Sequence, residues 1–259
     1  MQNETLNLPH GYTAEIAVDE YPENPFTSWD CQPPIAVLNW ERYRARLENY
    51  DGHALDLPTL LDLIPEEKWQ SREGKREIRD ALPFELTDLW AEMIETRSFR
   101  GAIENLVAGL SPSGWGEWVE YFDAMERLAT VAGIPCHFMQ SNGYSQGDCA
   151  LVLVASLPAW AKENGIPLER QRKACEASAR LWSAWAWGDV YGVARILSPD
   201  GEEVEGGDCW GFYGFNHEES GLLDHCRDVV RCHRRELVQE RAEAHAAACR
   251  DIFTIPAFA

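Results

Sequence analysis

Gly188-Asp189-Val190-Tyr191-Gly192, then Pro199-Asp200-Gly201, then Asp208-Cys209-Trp210-Gly211-Phe212-Tyr213-Gly214: these three short runs decide how the chain is expected to fold. Between Val190 and Leu197 neither parity of positions is cleanly polar, which predicts a strand in the interior of a sheet. Pro199-Asp200-Gly201 predicts a turn, because proline presets φ, aspartate closes onto nearby backbone N–H groups and glycine accepts positive φ. The return strand is expected from about Glu203 to Tyr213, broken or bulged at Gly206-Gly207. A hairpin of this kind implies a mainly antiparallel sheet.

Working outward, Tyr12 to Val18 alternates and predicts a strand, and Ile35 to Leu38 predicts a second. Ile134 to Gln140 and Cys149 to Ala155 predict two more, the latter apolar and β-branched enough to be central. Helices are expected at 40–50, throughout 57–132, at 158–164, at 167–185 and from about Asn216 to Cys249. Leu86, Leu89, Trp90, Met93 and Ile94 share one face of a helix at i, i+3, i+4, i+7 and i+8 spacing. Ser111-Pro112 predicts a helix start, with Trp118, Phe122, Met125, Leu128 or Ala129, and Ala132 as the stripe that follows, stopped by Gly133. Asn216 with Glu219 resembles a capping box ahead of a stripe of Leu222, Cys226, Val229, Val230, His233 and Leu237. The tail from Ile252 to Ala259 is apolar enough to dock on the body. The expected fold is α+β: a mainly antiparallel sheet of about six strands with flanking helices. Residues 40–132 form a helical insertion or side-layer, all within a single domain spanning residues 1–259.

The chain has 259 residues and a formal net charge of −20. That charge disfavours direct binding to nucleic acid or to anionic membranes, which calls for a positive field. It suits solubility, a basic protein partner, or imitation of the charge of DNA. The acids are unevenly spread. Glu4, Glu15, Asp19, Glu20, Glu23 and Asp30 stand in the first 30 residues with no Lys or Arg, and nine acids face only Arg97 and Arg100 between 85 and 126. The start Met-Gln-Asn-Glu has neither the basic nor the apolar region of a secretory signal, and no run reaches the length of a membrane span. A cytoplasmic location follows as the expectation, with the 8 cysteines largely reduced. No CxxC pair occurs, and His245 with Cys249 lacks a third ligand, so neither metal nor cofactor is expected.

The pattern Gly188-Asp189-Val190-Tyr191-Gly192, an Asp-Gly turn, then Cys209-Trp210-Gly211-Phe212-Tyr213-Gly214 resembles a family of uncharacterised proteins encoded by phages and mobile elements. The N-terminal strand and its acidic, proline-bearing loop, Glu15 to Pro25 and then Trp29-Asp30, fit the same resemblance. The resemblance implies a phage or plasmid context and no catalytic chemistry. The long helical block departs from the shorter members of that family.

Candidate binding residues fall in three places. The loop Asn142, Gly143, Tyr144, Ser145, Gln146, Gly147 and Asp148 joins two core strands, where function concentrates; the same residues also serve simply to close a turn. Asp189 and Asp208 flank the hairpin and, in one register, meet at its open end, where paired carboxylates do acid–base work or hold a metal; solvated strand ends are the plainer account. Asp19, Glu20 and Glu23 form the acidic N-terminal arm. Cys136 and His137 are neighbours on a strand and so point to opposite faces, which disfavours a Cys–His nucleophile. GxGxxG, Walker A, HExxH and GxSxG motifs are absent. Trp182, Trp185 and Trp187 are expected in the core rather than stacked on bases. The functional expectation is a non-catalytic accessory protein of phage or mobile-element origin. Its acidic surface would engage a basic host protein surface, as an anti-defence factor that mimics DNA. The alternative is a small hydrolase or nucleotide-handling enzyme using Asp148, Asp189 and Asp208 with His137.

Overall fold

The computed structural model describes residues 4–28, 32–41, 44–50, 53–141, 149–214 and 216–253. The fold is α+β, as expected, but its strands form two four-stranded antiparallel sheets instead of one sheet of six. The chain divides into two compact units, one made of Met1–Pro22 with Gly188–Ala259 and the other of Glu23–Trp187.

The Glu23–Trp187 unit holds β3 (Ile35–Glu41), β4 (Arg44–Asn49), β5 (Cys136–Gln140) and β6 (Cys149–Ala155) in the order β4-β3-β6-β5. Where a helix is expected over 40–50, the described residues hold the end of β3 and all of β4. Ala45 and Leu47 turn toward the core while Arg46 is exposed, a period of two that pairing with β3 favours over the helix propensity of Glu, Arg and Leu. β3 and β6 are buried on both faces. Ala36, Leu38, Leu151, Leu153 and Ala155 enter one apolar cluster, and Ile35, Val37, Val152 and Val154 enter another.

The first cluster is roofed by helices α2 (Leu57–Asp62), α3 (Glu66–Gln70), α4 (Arg72–Ala81), α5 (Leu86–Thr96), α6 (Phe99–Ala108) and α7 (Trp115–Val131). A four-residue helix, α1 (Pro25–Ser28), precedes them. The helical character of 57–132 and the α7 stripe of Phe122, Met125, Leu128 and Ala129 match expectation. Ser111-Pro112 does not cap α7. The helix starts at Trp115, and the Glu117 carboxylate instead accepts hydrogen bonds from the backbone N–H groups of Ser113 (2.7 Å) and Gly114 (3.4 Å). The second cluster packs under α9 (Leu168–Trp187), with Cys175, Ala179, Trp182 and Ala186 facing the sheet; α8 (Pro158–Glu163) precedes it.

The other unit holds β1 (Glu4–Asn7), β2 (Thr13–Val18), β7 (Val190–Leu197) and β8 (Cys209–Tyr213), in that spatial order, and α10 (Leu222–Phe253). β7 is interior, as predicted. One sheet face packs Ala14, Ile16, Val193 and Ile196 against Leu222, Cys226 and Val230 of α10. The opposite face carries the Glu15–Arg195 ion pair at 2.6 Å and the Trp210 ring. Asn216 accepts hydrogen bonds from Glu218 N–H and Glu219 N–H (3.0 and 2.8 Å), but this caps a turn, and the helix begins six residues later. Beyond Leu237 the helix projects: residues 238–248 are all exposed. The tail 254–259 lies outside the described residues.

The quoted motif now has a physical basis. The register passes from Tyr191↔Phe212 to Val193↔Cys209, so Trp210 and Gly211 stand opposite Gly192 in a β-bulge with Gly211 at φ +84°. The indole lies where a side chain at 192 would be; a Cβ there would meet Trp210 Cε3 at 2.0 Å.

Candidate functional site

The candidate residues of the 142–148 loop (Asn142, Tyr144, Ser145, Gln146 and Asp148) lie outside the described residues. Asp189 and Asp208 do not meet. The Gly214 N–H donates to the Asp189 carbonyl at 3.0 Å, while Asp208 precedes Cys209, the partner of Val193. The two acids therefore mark opposite ends of the β7–β8 pair, about four residues or ~13 Å of strand apart. The expected register fails because the bulge shortens the pairing and the return strand is reduced to a bridge at Glu203 before Cys209. Desolvation raises the Asp189 carboxyl above the usual aspartate range.

In the N-terminal arm, Asp19 accepts a hydrogen bond from Tyr21 N–H at 3.1 Å, and Glu20 and Glu23 are exposed. His137 lines a groove of about 650 Å³ with Glu126, Cys136, Glu169, Arg172 and Glu176. Burial pushes the Cys136 thiol up to about 11, opposite to what a thiolate nucleophile needs. The 6 cysteines whose side chains are described are free. Among the described residues no group of three or more His, Cys, Asp or Glu side chains gathers as a metal site, and no helix is long and apolar enough to cross a membrane.

The feature with the clearest binding character lies in the Glu23–Trp187 unit, between α4 and α5. Ser71 Oγ accepts from Gly74 N–H at 3.0 Å and caps α4. Gly74 permits α4 to start tightly on α3, since a Cβ at 74 would sit 2.2 Å from the Lys68 carbonyl oxygen. This placement sends Arg72, Lys75, Arg76 and Arg79 down one face of α4, at i, i+3, i+4 and i+7.

α5 lies across from them. Leu89 anchors it in the core, and Glu92 ties it to α6 by accepting from Asn105 Nδ2 at 3.2 Å. Its sequence stripe is wider than its burial: Leu86 is 54%, Trp90 61% and Ile94 78% exposed. These three follow i, i+4, i+8 and form an apolar ridge along the outside of the helix. Between the two helices runs a groove of about 650 Å³ lined by Leu86, Leu89, Trp90, Met93 and Phe99, with the four cations and Glu73 as its other wall. Arg79 pairs with Asp80 (Nε–Oδ1 2.7 Å) and Arg76 approaches Glu73 at 3.9 Å. Lys75 sits over the Phe99 ring at 5.9 Å.

Leu86, Leu89, Trp90, Met93 and Ile94 share one face by their spacing, but of these only Leu89 is buried. Four cations at helical spacing within residues 72–79 were the available signal, masked by the chain's net charge of −20. The groove is apolar at its floor and ridge and cationic on one side.

No family model, curated protein or solved structure matches the chain.

Proposed function

We propose that the chain is a non-catalytic accessory protein that acts by binding another protein, in the cytoplasm of a host cell, through the α4–α5 surface. One observation carries this reading: Leu86, Trp90 and Ile94 stand exposed in a row beside a groove with a cationic wall. Covering such side chains is worth about 1.5–3 kcal/mol each, and a contiguous apolar patch rimmed by polar groups marks an interaction site. The separation of Asp189 from Asp208 removes support from the carboxylate-enzyme alternative. The experiment is photo-crosslinking. A photoreactive residue at Ile94 is expected to give a discrete protein adduct in cells, while the same residue at exposed Val238 on α10 gives none. Equal adducts from both positions, or none from Ile94, would remove the basis for this reading.

A second reading keeps the anti-defence factor that mimics DNA. Asp200, Glu202, Glu203, Glu205 and Asp208 are all exposed on the β7–β8 turn, and the nearby Arg195 is already engaged by Glu15. Carboxylates arrayed in solvent give the electrostatic steering that a basic host enzyme would feel. Converting the five to amides should then abolish salt-sensitive capture of a basic partner. Undiminished capture by that variant counts against mimicry at this turn.

A further inference from the structure

We infer that the groove between α4 and α5 takes an acidic amphipathic helix of the partner protein, two to three turns long; this rests on the proposed role of that surface in protein binding. Length comes first. Leu86 to Ile94 covers nine residues of helix, a rise of about 12 Å, and the ten residues of α4 rise about 15 Å, the reach of a helix of roughly ten residues. Helices that dock in grooves do so with anchors at i, i+3 or i+4, and i+7, which matches a floor of Leu89, Met93 and Phe99 flanked by Trp90.

Charge supplies the identity of the occupant. The α4 wall lines the groove with a cation on each turn, at Arg72, at Lys75 and Arg76, and at Arg79; Glu73 is the one carboxylate among the lining residues, and Arg79 pairs with Asp80 beside it. Among the described residues Arg72 has no ion-pair partner, and the Arg76–Glu73 contact is long and solvent-exposed. A helix with apolar anchors on one face and Glu or Asp along the adjoining edge would bury the ridge and neutralise this wall together. A basic helix would meet the like charges of Arg72 and Lys75, a costly juxtaposition. A nucleic acid fits less well: Leu86, Leu89 and Met93 of the apolar lining offer no ring on which a base would stack.

The test starts from a yeast-displayed library of random peptides of about 14 residues, enough for three helical turns. The full chain is the target and its Trp90→Ser variant the counter-target. Trp90 is exposed, so this change should leave the fold intact, checked by circular dichroism. The expected selections carry net negative charge and apolar residues at i, i+3 or i+4, and i+7. In fluorescence anisotropy, replacing the acids of a selected peptide by amides should weaken binding roughly tenfold, and an Arg72→Glu, Arg76→Glu, Arg79→Glu variant should prefer the lysine-substituted peptide. Neutral or basic selections that still need Trp90 overturn the acidic-helix inference and leave the docking surface standing. Selections indifferent to Trp90→Ser overturn both. Trp90-dependent binding of a labelled oligodeoxythymidine, or Trp90-dependent self-association in sedimentation, replaces the acidic helix with a nucleic acid or a second copy.

Discussion

The two sheets of this protein are built from the same number of antiparallel strands and solve burial differently. In β3 and β6 every residue from Ile35 to Leu38 and from Leu151 to Ala155 is buried, with alternate residues entering separate cores. In β2 only Ala14 and Ile16 are buried, while Thr13, Glu15 and Ala17 are half-exposed. A sheet covered on both faces needs continuous apolar strands; a sheet packed mainly on one face needs alternating ones. The difference is written in the side chains, two residues at a time.

The comparison breaks most sharply at the helices that cover the first sheet. Trp182 is 1% exposed between α9 and that sheet. Trp182→Ala is expected to cost about 3–5 kcal/mol in urea unfolding. Next comes the alternation itself. Leu153→Ala should cost about 2–5 kcal/mol, and its neighbour Val152→Ala should also be clearly destabilising, because each faces a core. In β2, Ile16→Ala should fall in that same range of about 2–5 kcal/mol, whereas the adjacent Glu15→Ala should stay within about 1 kcal/mol, the worth of an exposed ion pair. Equal costs at Ile16 and Glu15 would contradict one-sided burial.

The bulge offers a finer test. Gly192→Val is expected to cost about 1–3 kcal/mol by displacing the Trp210 ring. Adding Trp210→Ala should recover part of that loss, a coupling that a double-mutant cycle measures.

How much of this could be read from the residues alone follows from what local patterns encode. The runs Ile35–Leu38 and Cys149–Ala155 announce strands, and Phe122, Met125 and Leu128 announce a buried helix face. Strand partnership is not local: nothing near Glu15 says that it will pair with Arg195 and not with β3. The 40–50 segment misleads because helix-favouring residues occupy a hairpin whose pairing outweighs propensity. Trp90 shows the limit of periodicity. Spacing tells which residues share a face, not whether anything covers it. The basic stripe of Arg72, Lys75, Arg76 and Arg79 was legible at the level of four residues and invisible in the total charge. Of the residues first singled out for a site, Asp189 and Asp208 lie apart, and those of the 142–148 loop fall outside the description.

The smallest expected effects concern protons, and they differ in sign between the units. Desolvation raises the Asp189 carboxyl, so the folded state holds that proton more tightly than the unfolded chain does. The associated stability is complete below the unfolded pKa and lost as pH rises through the folded one. Asp189→Asn should therefore raise the melting temperature near pH 7 relative to the parent, with the gain vanishing in acid below about pH 3, beneath the carboxylate range. Glu117 is the reverse. Hydrogen bonds from the Ser113 backbone and hydroxyl and the Gly114 backbone lower its carboxyl. Its contribution is present above the unfolded pKa and is lost as pH falls through the folded one. Glu117→Gln should lower the melting temperature near neutrality and converge with the parent in acid, by the same paired melts.

The outer part of α10 has a meaning of its own. Its residues 238–248 touch no core, so tertiary packing does not protect their amides, and their opening is governed by helix–coil equilibrium and by the propensity of Ala242, Ala244, Ala246, Ala247 and Ala248. In hydrogen–deuterium exchange this segment is a built-in clock: it sets the rate of an unsupported helix within the same molecule, against which the slowing of every packed segment can be measured.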